Sequence, residues 1–157
     1  MHRLPRYQIS LVRDGSIPYN SPQYPRFANS RDLFNHLRPM MQAIDREVFV
    51  IVALDSKNRM IGFHPVAIGS LTTSVVHPRE VFKPLVLQNA AAFIAIHNHP
   101  SGDPAPSRED RLTTDRMARG SETLGIRLLD HVIIGDQDYF SFADAGQLKE
   151  VAEPVPV

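Results

Sequence analysis

Residues 91–96, AAFIAI, form a wholly apolar run that ends directly on His97-Asn98-His99. A run this short and this apolar, bounded by polar and turn-forming residues, predicts a central strand that delivers its C-terminal end to His97. A second run, residues 47–54 (EVFVIVAL), is rich in β-branched residues and closed by the turn-like Asp55-Ser56-Lys57-Asn58. It reads as a strand buried on both faces, with Met60–Ile68 as its hairpin partner. Residues 126–134 supply the next strand, and residues 139–142 a short last one beyond a turn.

Helices fall between the strands. Leu33, Phe34, Leu37 and Met41 have helical spacing behind Ser30, a favoured N-cap, so a helix is expected over 31–43, bent at Pro39. Pro78 suits the first turn of a helix running to about Asn89, with Pro84 inside it and a short strand over 74–77 before it. Ser107 opens a long polar helix that runs to about Leu124 and stops at Gly125. A length of 157 residues with 43% hydrophobic residues fits one core. The expected organisation is an extended arm over 1–29 with a strand-like stretch at 7–13, one domain over 30–148, and a frayed tail over 149–157.

The charges balance, 17 Lys and Arg against 17 Asp and Glu, so the chain as a whole has no electrostatic bias toward nucleic acid or an anionic membrane. Arg3, Arg6, Arg13, Arg26, Arg31 and Arg38 are the best local basic group, and scattered arginines of this kind read as a solvated face. No apolar run reaches the ~20 residues of a membrane span, and MHRLPRYQIS lacks the apolar stretch of a secretion signal, so a cytoplasmic protein is expected. No phosphate-binding glycine motif occurs. With no cysteine, any transition metal must be held by imidazole and carboxylate.

That requirement directs attention to HNHPSGDPAPSRED, residues 97–110. In extended chain, alternate side chains share a face, so His97 and His99 can converge on one ion while Asn98 points away. The Pro- and Gly-rich loop limits its own freedom, and Asp110 stands one helical turn beyond Ser107, facing the same opening. Two histidines and one carboxylate leave a fourth tetrahedral position for water, the pattern of catalytic zinc. Proton transfer needs a base as well. Glu47, at the mouth of its strand, is the better candidate if that strand lies beside the one ending at His97. Glu80 is the runner-up, and Asp103 and Glu109 are less well placed. Ser107 would fit as an oxyanion donor. His2, His36, His64, His77 and His131 lack comparable company and read as surface or satisfied core residues.

The pattern of a distant Glu, then His-x-His-Pro, then Ser-x-x-Asp resembles the JAMM motif of the JAB/MPN metalloprotease superfamily. The longer string HNHPSGDPAPSREDRLTTDRM, with VHPREVF before it and GIRLLDHVIIG after it, is similar to the RadC branch of that superfamily. The resemblance spans roughly residues 7–148. It implies a deaminase-like, three-layer α/β domain with a mixed central sheet flanked by helices. It also implies His97, His99 and Asp110 as zinc ligands, Glu47 as general acid/base and Ser107 as support for the oxyanion. Longer RadC proteins carry an N-terminal helix-hairpin-helix-like region that residues 1–29 do not resemble, so the likeness is to the shorter, stand-alone form found with mobile elements. The expected function is a zinc-dependent peptidase or isopeptidase acting on peptides or protein conjugates. The alternatives are a DNA-associated protein of a repair or mobile-element system and a non-catalytic, metal-stabilised interaction module.

Overall fold

The computed structural model describes residues 12, 13, 15, 26–69 and 76–148. Strands β1 (Val48–Leu54), β2 (Met60–Ile68), β3 (Ala92–Asn98), β4 (Arg127–Ile134) and β5 (Tyr139–Ser141) form one sheet in the order β2-β1-β3-β4-β5. β3 and β4 run parallel, and every other neighbouring pair is antiparallel. With helices α1 (Ser30–Gln42), α2 (Pro78–Leu87) and α3 (Arg108–Leu124), this is the expected mixed α/β sheet flanked by helices, consistent with a deaminase-like fold.

Strand alternation divides the apolar residues between two cores. Phe49, Ile51 and Ala53 of β1, with Phe93 and Ala95 of β3, pack against Val81, Phe82 and Leu85 of α2 and Met117 of α3. Val50, Val52 and Leu54, with Ile96 and Val132, pack against Leu33, Phe34, Leu37 and Met41 of α1. β1 is therefore buried along its whole length, as its unbroken apolar run predicts. Burial of each large side chain contributes roughly 1.5–3 kcal/mol. The same alternation sends His97, two residues beyond Ala95, to the face covered by α2 and α3.

Several boundaries differ from expectation for local reasons. The N-cap of α1 is Asn29, not Ser30: its backbone is extended, and its side chain accepts a hydrogen bond from the Asp32 N–H at 2.8 Å. Both α1 and α2 continue through their internal prolines, and α2 ends at Leu87, with Gln88 as C-cap. β1 starts one residue later than predicted, so Glu47 stands just outside the strand, whereas β3 continues through His97 and Asn98. His77 is not in a strand but caps α2, accepting from the Arg79 N–H through Nδ1 at 3.3 Å. Residues 74 and 75 of that predicted strand, residues 7–11 of the N-terminal one and the tail over 149–157 lie outside the described residues; Val12 and Arg13 belong to no strand. Among the described residues no helix is long and apolar enough to cross a membrane.

Candidate metal centre

The site forms where β3 leaves the sheet and α3 begins. In the sheet His97 lies level with Phe49 of β1 and Ile133 of β4. Beyond Asn98 the chain stays tied to the end of β4: the His99 N–H donates to the Ile134 carbonyl (2.9 Å), and the Asp136 N–H to the Gly102 carbonyl (3.0 Å). Gly102 also donates to the His99 carbonyl at 2.9 Å, closing a turn with φ of +85° at the glycine. The loop then reaches Ser107, the N-cap of α3. The Ser107 Oγ accepts from the Asp110 N–H at 3.1 Å, and the Asp110 Oδ2 accepts from the Ser107 N–H at 2.7 Å. This reciprocal cap satisfies two otherwise orphaned N–H groups and fixes the rotamer of Asp110.

His97, His99 and Asp110 converge as the spacing predicts. Their ligand-type atoms all lie within 4.8 Å of one another. His97 Nε2 is 3.0 Å from His99 Nε2 and 3.1 Å from Asp110 Oδ1, and His99 Nε2 is 3.4 Å from Asp110 Oδ2. A tetrahedral ion with bonds of about 2.0–2.1 Å holds its ligand atoms roughly 3.3 Å apart, so the three groups fit one ion. The donor chemistry agrees. His99 Nδ1 lies 2.7 Å from the Asp103 carbonyl oxygen, which only accepts; in neutral His99 the ring proton is therefore on Nδ1, which leaves the Nε2 lone pair for an ion.

The electrostatics follow from burial and company. His97 has no exposed surface, and this burial lowers its pKa against the opposing pull of Asp110. His99 is raised, chiefly by its contact with Asp110. Burial alone would push the Asp110 carboxyl up, but His97, His99 and Ser107 together hold it far below the usual carboxylate range. Asp110 also lies in the first turn of α3, where the helix dipole favours negative charge.

Of the two candidate bases, Glu47 is the one whose charge reaches the cluster: it adds to the rise at His99 that Asp110 chiefly causes, and it opposes the lowering of His97 by burial. The register explains this. Phe49 pairs with His97 at the end of the antiparallel β1–β3 register, and Glu47 stands two residues before Phe49, at the same end of the sheet as His99. Glu80 instead lies exposed on the first turn of α2, 3.3 Å from Arg79.

Two residues that the sequence did not single out for the site belong to it. Asn98, expected merely to point away, is buried and clamps the backbone on both sides of Glu47: its Oδ1 accepts from the Val48 N–H at 2.8 Å, and its Nδ2 donates to the Arg46 carbonyl at 3.0 Å. His131, expected to lack company, is fully buried directly behind His97, with 2.9 Å between its Nε2 and His97 Nδ1. Phe142 stacks on the His131 ring at 5.1 Å. Asp130, whose carboxyl is raised by burial, anchors the turn bearing Phe142 by accepting from Ser141 Oγ at 2.6 Å and from the Ala143 N–H at 3.0 Å. The adjacent DH pair in LLDHVII was the visible signal. Of the other histidines, His64 and His77 are exposed, His36 is half-buried, and His2 lies outside the described residues.

Comparison with known proteins agrees with this geometry. A family model described as "RadC-like JAB domain" matches residues 27–147. The chain is 48% identical over 123 residues to a UPF0758 protein of Syntrophotalea carbinolica, covering 78% of this chain and 54% of that protein. It is 44% identical over 124 residues to a UPF0758 protein of Methanosarcina mazei (79% and 54% covered). It is 52% identical over 117 residues to a UPF0758 protein of Bacillus licheniformis (74% and 52% covered). The chain thus spans about half the length of these curated relatives. A match that takes in both cores, the His97–Asp110 cluster and Glu47 establishes that this chain belongs to the RadC-like JAB domain family.

Proposed function

We propose that this chain is a zinc-dependent amide hydrolase, a peptidase or isopeptidase, with His97, His99 and Asp110 as its metal ligands. The observation that carries the reading is a compact donor set of two imidazoles and one carboxylate, with the charge of Glu47 acting on both histidines. Three protein ligands leave one of four positions open, as in catalytic zinc sites, and imidazole with carboxylate suits that metal. Zinc bound there supplies Lewis acidity and lowers the pKa of a water to about 7.

The surrounding residues account for the rest of the reaction. Glu47 accepts a proton from the attacking water as its oxygen bonds to the carbonyl carbon, and delivers that proton to the amine nitrogen as the C–N bond breaks. Ser107 receives the Asp110 N–H at its oxygen, which leaves its own hydroxyl proton to donate to the carbonyl oxygen as charge develops there. The substrate class is a peptide or a protein conjugate.

Elemental analysis of purified wild type, His97→Ala and Asp110→Ala is the first test, with about one zinc per chain expected in wild type and none in the variants. Extended peptides and ubiquitin-like conjugates are then offered to wild type and Glu47→Gln. Turnover that falls by about 10²–10⁴ in Glu47→Gln supports the assigned base. Equal turnover removes Glu47 from the mechanism, and zinc without turnover favours a metal-stabilised module instead.

A further inference from the structure

The proposed reaction uses neither His131 nor Thr114, yet both are buried in an unbroken hydrogen-bonded line that ends on His97. Thr114 Oγ1 lies 2.7 Å from the Asp110 carbonyl oxygen and 2.7 Å from His131 Nδ1. His131 Nε2 lies 2.9 Å from His97 Nδ1. The line starts on the backbone of Asp110 and finishes at His97, whose Nε2 is 3.1 Å from the Asp110 side chain. It therefore ties β3, β4 and α3 together behind the cluster.

With His131 neutral, the direction of each of the three bonds in this line is determined. A carbonyl oxygen only accepts, so the single hydroxyl proton of Thr114 is committed to Asp110. Thr114 Oγ1 must then accept from His131, whose proton is on Nδ1. The His131 ring is fully buried, stacked on Phe142 and tilted against Phe49 at 5.4 Å, surroundings that favour the neutral form. The Asp130 carboxylate next to it in sequence engages its backbone N–H, at 2.7 Å. A neutral imidazole has one N–H, so His131 Nε2 is a lone pair and accepts from His97 Nδ1–H. His97 is left with a bare Nε2 on the side of His99 and Asp110.

We propose that His131 is a positioning residue which, with Thr114, locks His97 in the Nδ1–H tautomer and aims its Nε2 lone pair at the metal position. Ligating histidines commonly donate their second nitrogen to a carbonyl or carboxylate, as His99 does to Asp103. At His97 a second imidazole takes that place, and its own proton is set by a threonine hung from the third ligand. The inference rests on the metal-site reading above.

The test compares Zn2+ affinity by chelator competition in wild type, His131→Phe, His131→Gln and Thr114→Val, with metal-free melting as the folding control. His131→Phe keeps a ring of similar size but offers no acceptor, and is expected to bind zinc about 10–100-fold more weakly. His131→Gln returns an amide oxygen for His97 Nδ1–H and is expected to recover most of that loss, which repacking alone would not do. Thr114→Val leaves His131 in place without its acceptor and serves should His131→Phe fail to fold; weaker zinc binding is expected here too. Long-range 1H–15N spectra of zinc-loaded wild type are expected to show neutral His131 protonated on Nδ1. A proton on Nε2 of His131, or folded His131→Phe and Thr114→Val that bind zinc as tightly as wild type, overturns the proposal and leaves the metal site standing. Wild type that takes up no zinc overturns the metal-site reading, and this inference with it.

Discussion

The side chain of Asn98 accepts a hydrogen bond from the backbone N–H of Val48 at 2.8 Å while donating to Arg46 on the other side of Glu47. One residue of β3 therefore sets where the segment carrying Glu47 enters the sheet. Asn98→Ala leaves the Val48 N–H buried without a partner, and is expected to cost about 2–3 kcal/mol in urea denaturation. Asn98→Asp keeps the acceptor for Val48 but sets a buried carboxylate oxygen against the Arg46 carbonyl, so it should cost at least as much. Equal stability of wild type and Asn98→Ala would show that water or backbone adjustment replaces the clamp.

Burial pushes the His131 pKa well below that of a free histidine, which gives a sign for the pH dependence of stability. Above about pH 6.5 the ring is neutral in both folded and unfolded chains and contributes no slope. As pH falls below that value the unfolded chain takes up a proton that the folded one refuses, so stability is lost, at up to about 1.4 kcal/mol per pH unit for this one group. His97, also lowered by burial, acts in the same direction, whereas His99, raised by Asp110, acts in the opposite one. Melting of metal-free protein from about pH 7.5 down to 5 should show a shallower decline for His131→Phe than for wild type. Parallel declines would mean that the ring is protonated in the fold.

Gly102 combines a φ of +85° with close quarters, since a Cβ there would lie 2.6 Å from the Asp136 Oδ2. Gly102→Ala is expected to lower stability by about 1–3 kcal/mol. Adding Asp136→Ala should relieve the contact but not the backbone strain, so calorimetry of the double variant should recover part of the loss. Full recovery would assign the whole effect to the contact.

Ser107 combines helix capping with a proposed part in the reaction, and the two can be separated. Glycine at an N-cap costs only a few tenths of a kcal/mol, so Ser107→Gly should melt close to wild type. The loss of an oxyanion donor should nevertheless lower kcat on an amide substrate by about 10²–10³-fold. A variant that loses stability but keeps kcat would confine Ser107 to capping.

What could be read in the sequence was local. The convergence of His97 and His99 follows from the period-two alternation of extended chain, and the approach of Asp110 from the Ser-x-x-Asp start of a helix. Both signals span fourteen residues or fewer. The unbroken apolar run of β1 predicted burial on two faces, and the two clusters it joins bear that out. The contacts from His131 to His97 and from Asn98 to Val48 join residues 34 and 50 apart and depend on β3 lying between β1 and β4, an order that no local pattern encodes. The cap of α1 was missed by one position because Asn29 and Ser30 are both good capping residues, and backbone conformation chose between them.

The division of the sheet into two covered faces also gives the molecule a side that carries the candidate centre and a back. His97 of the cluster lies on the face covered by α2 and α3, whereas α1 seals the opposite surface and contributes no side chain to the cluster. Since the chain contains no cysteine, Asn35→Cys on the exposed side of α1 would introduce its sole thiol. A dye, spin label or surface tether attached there would sit across the sheet from the candidate centre, so the protein could be immobilised or tracked without a group placed beside that centre.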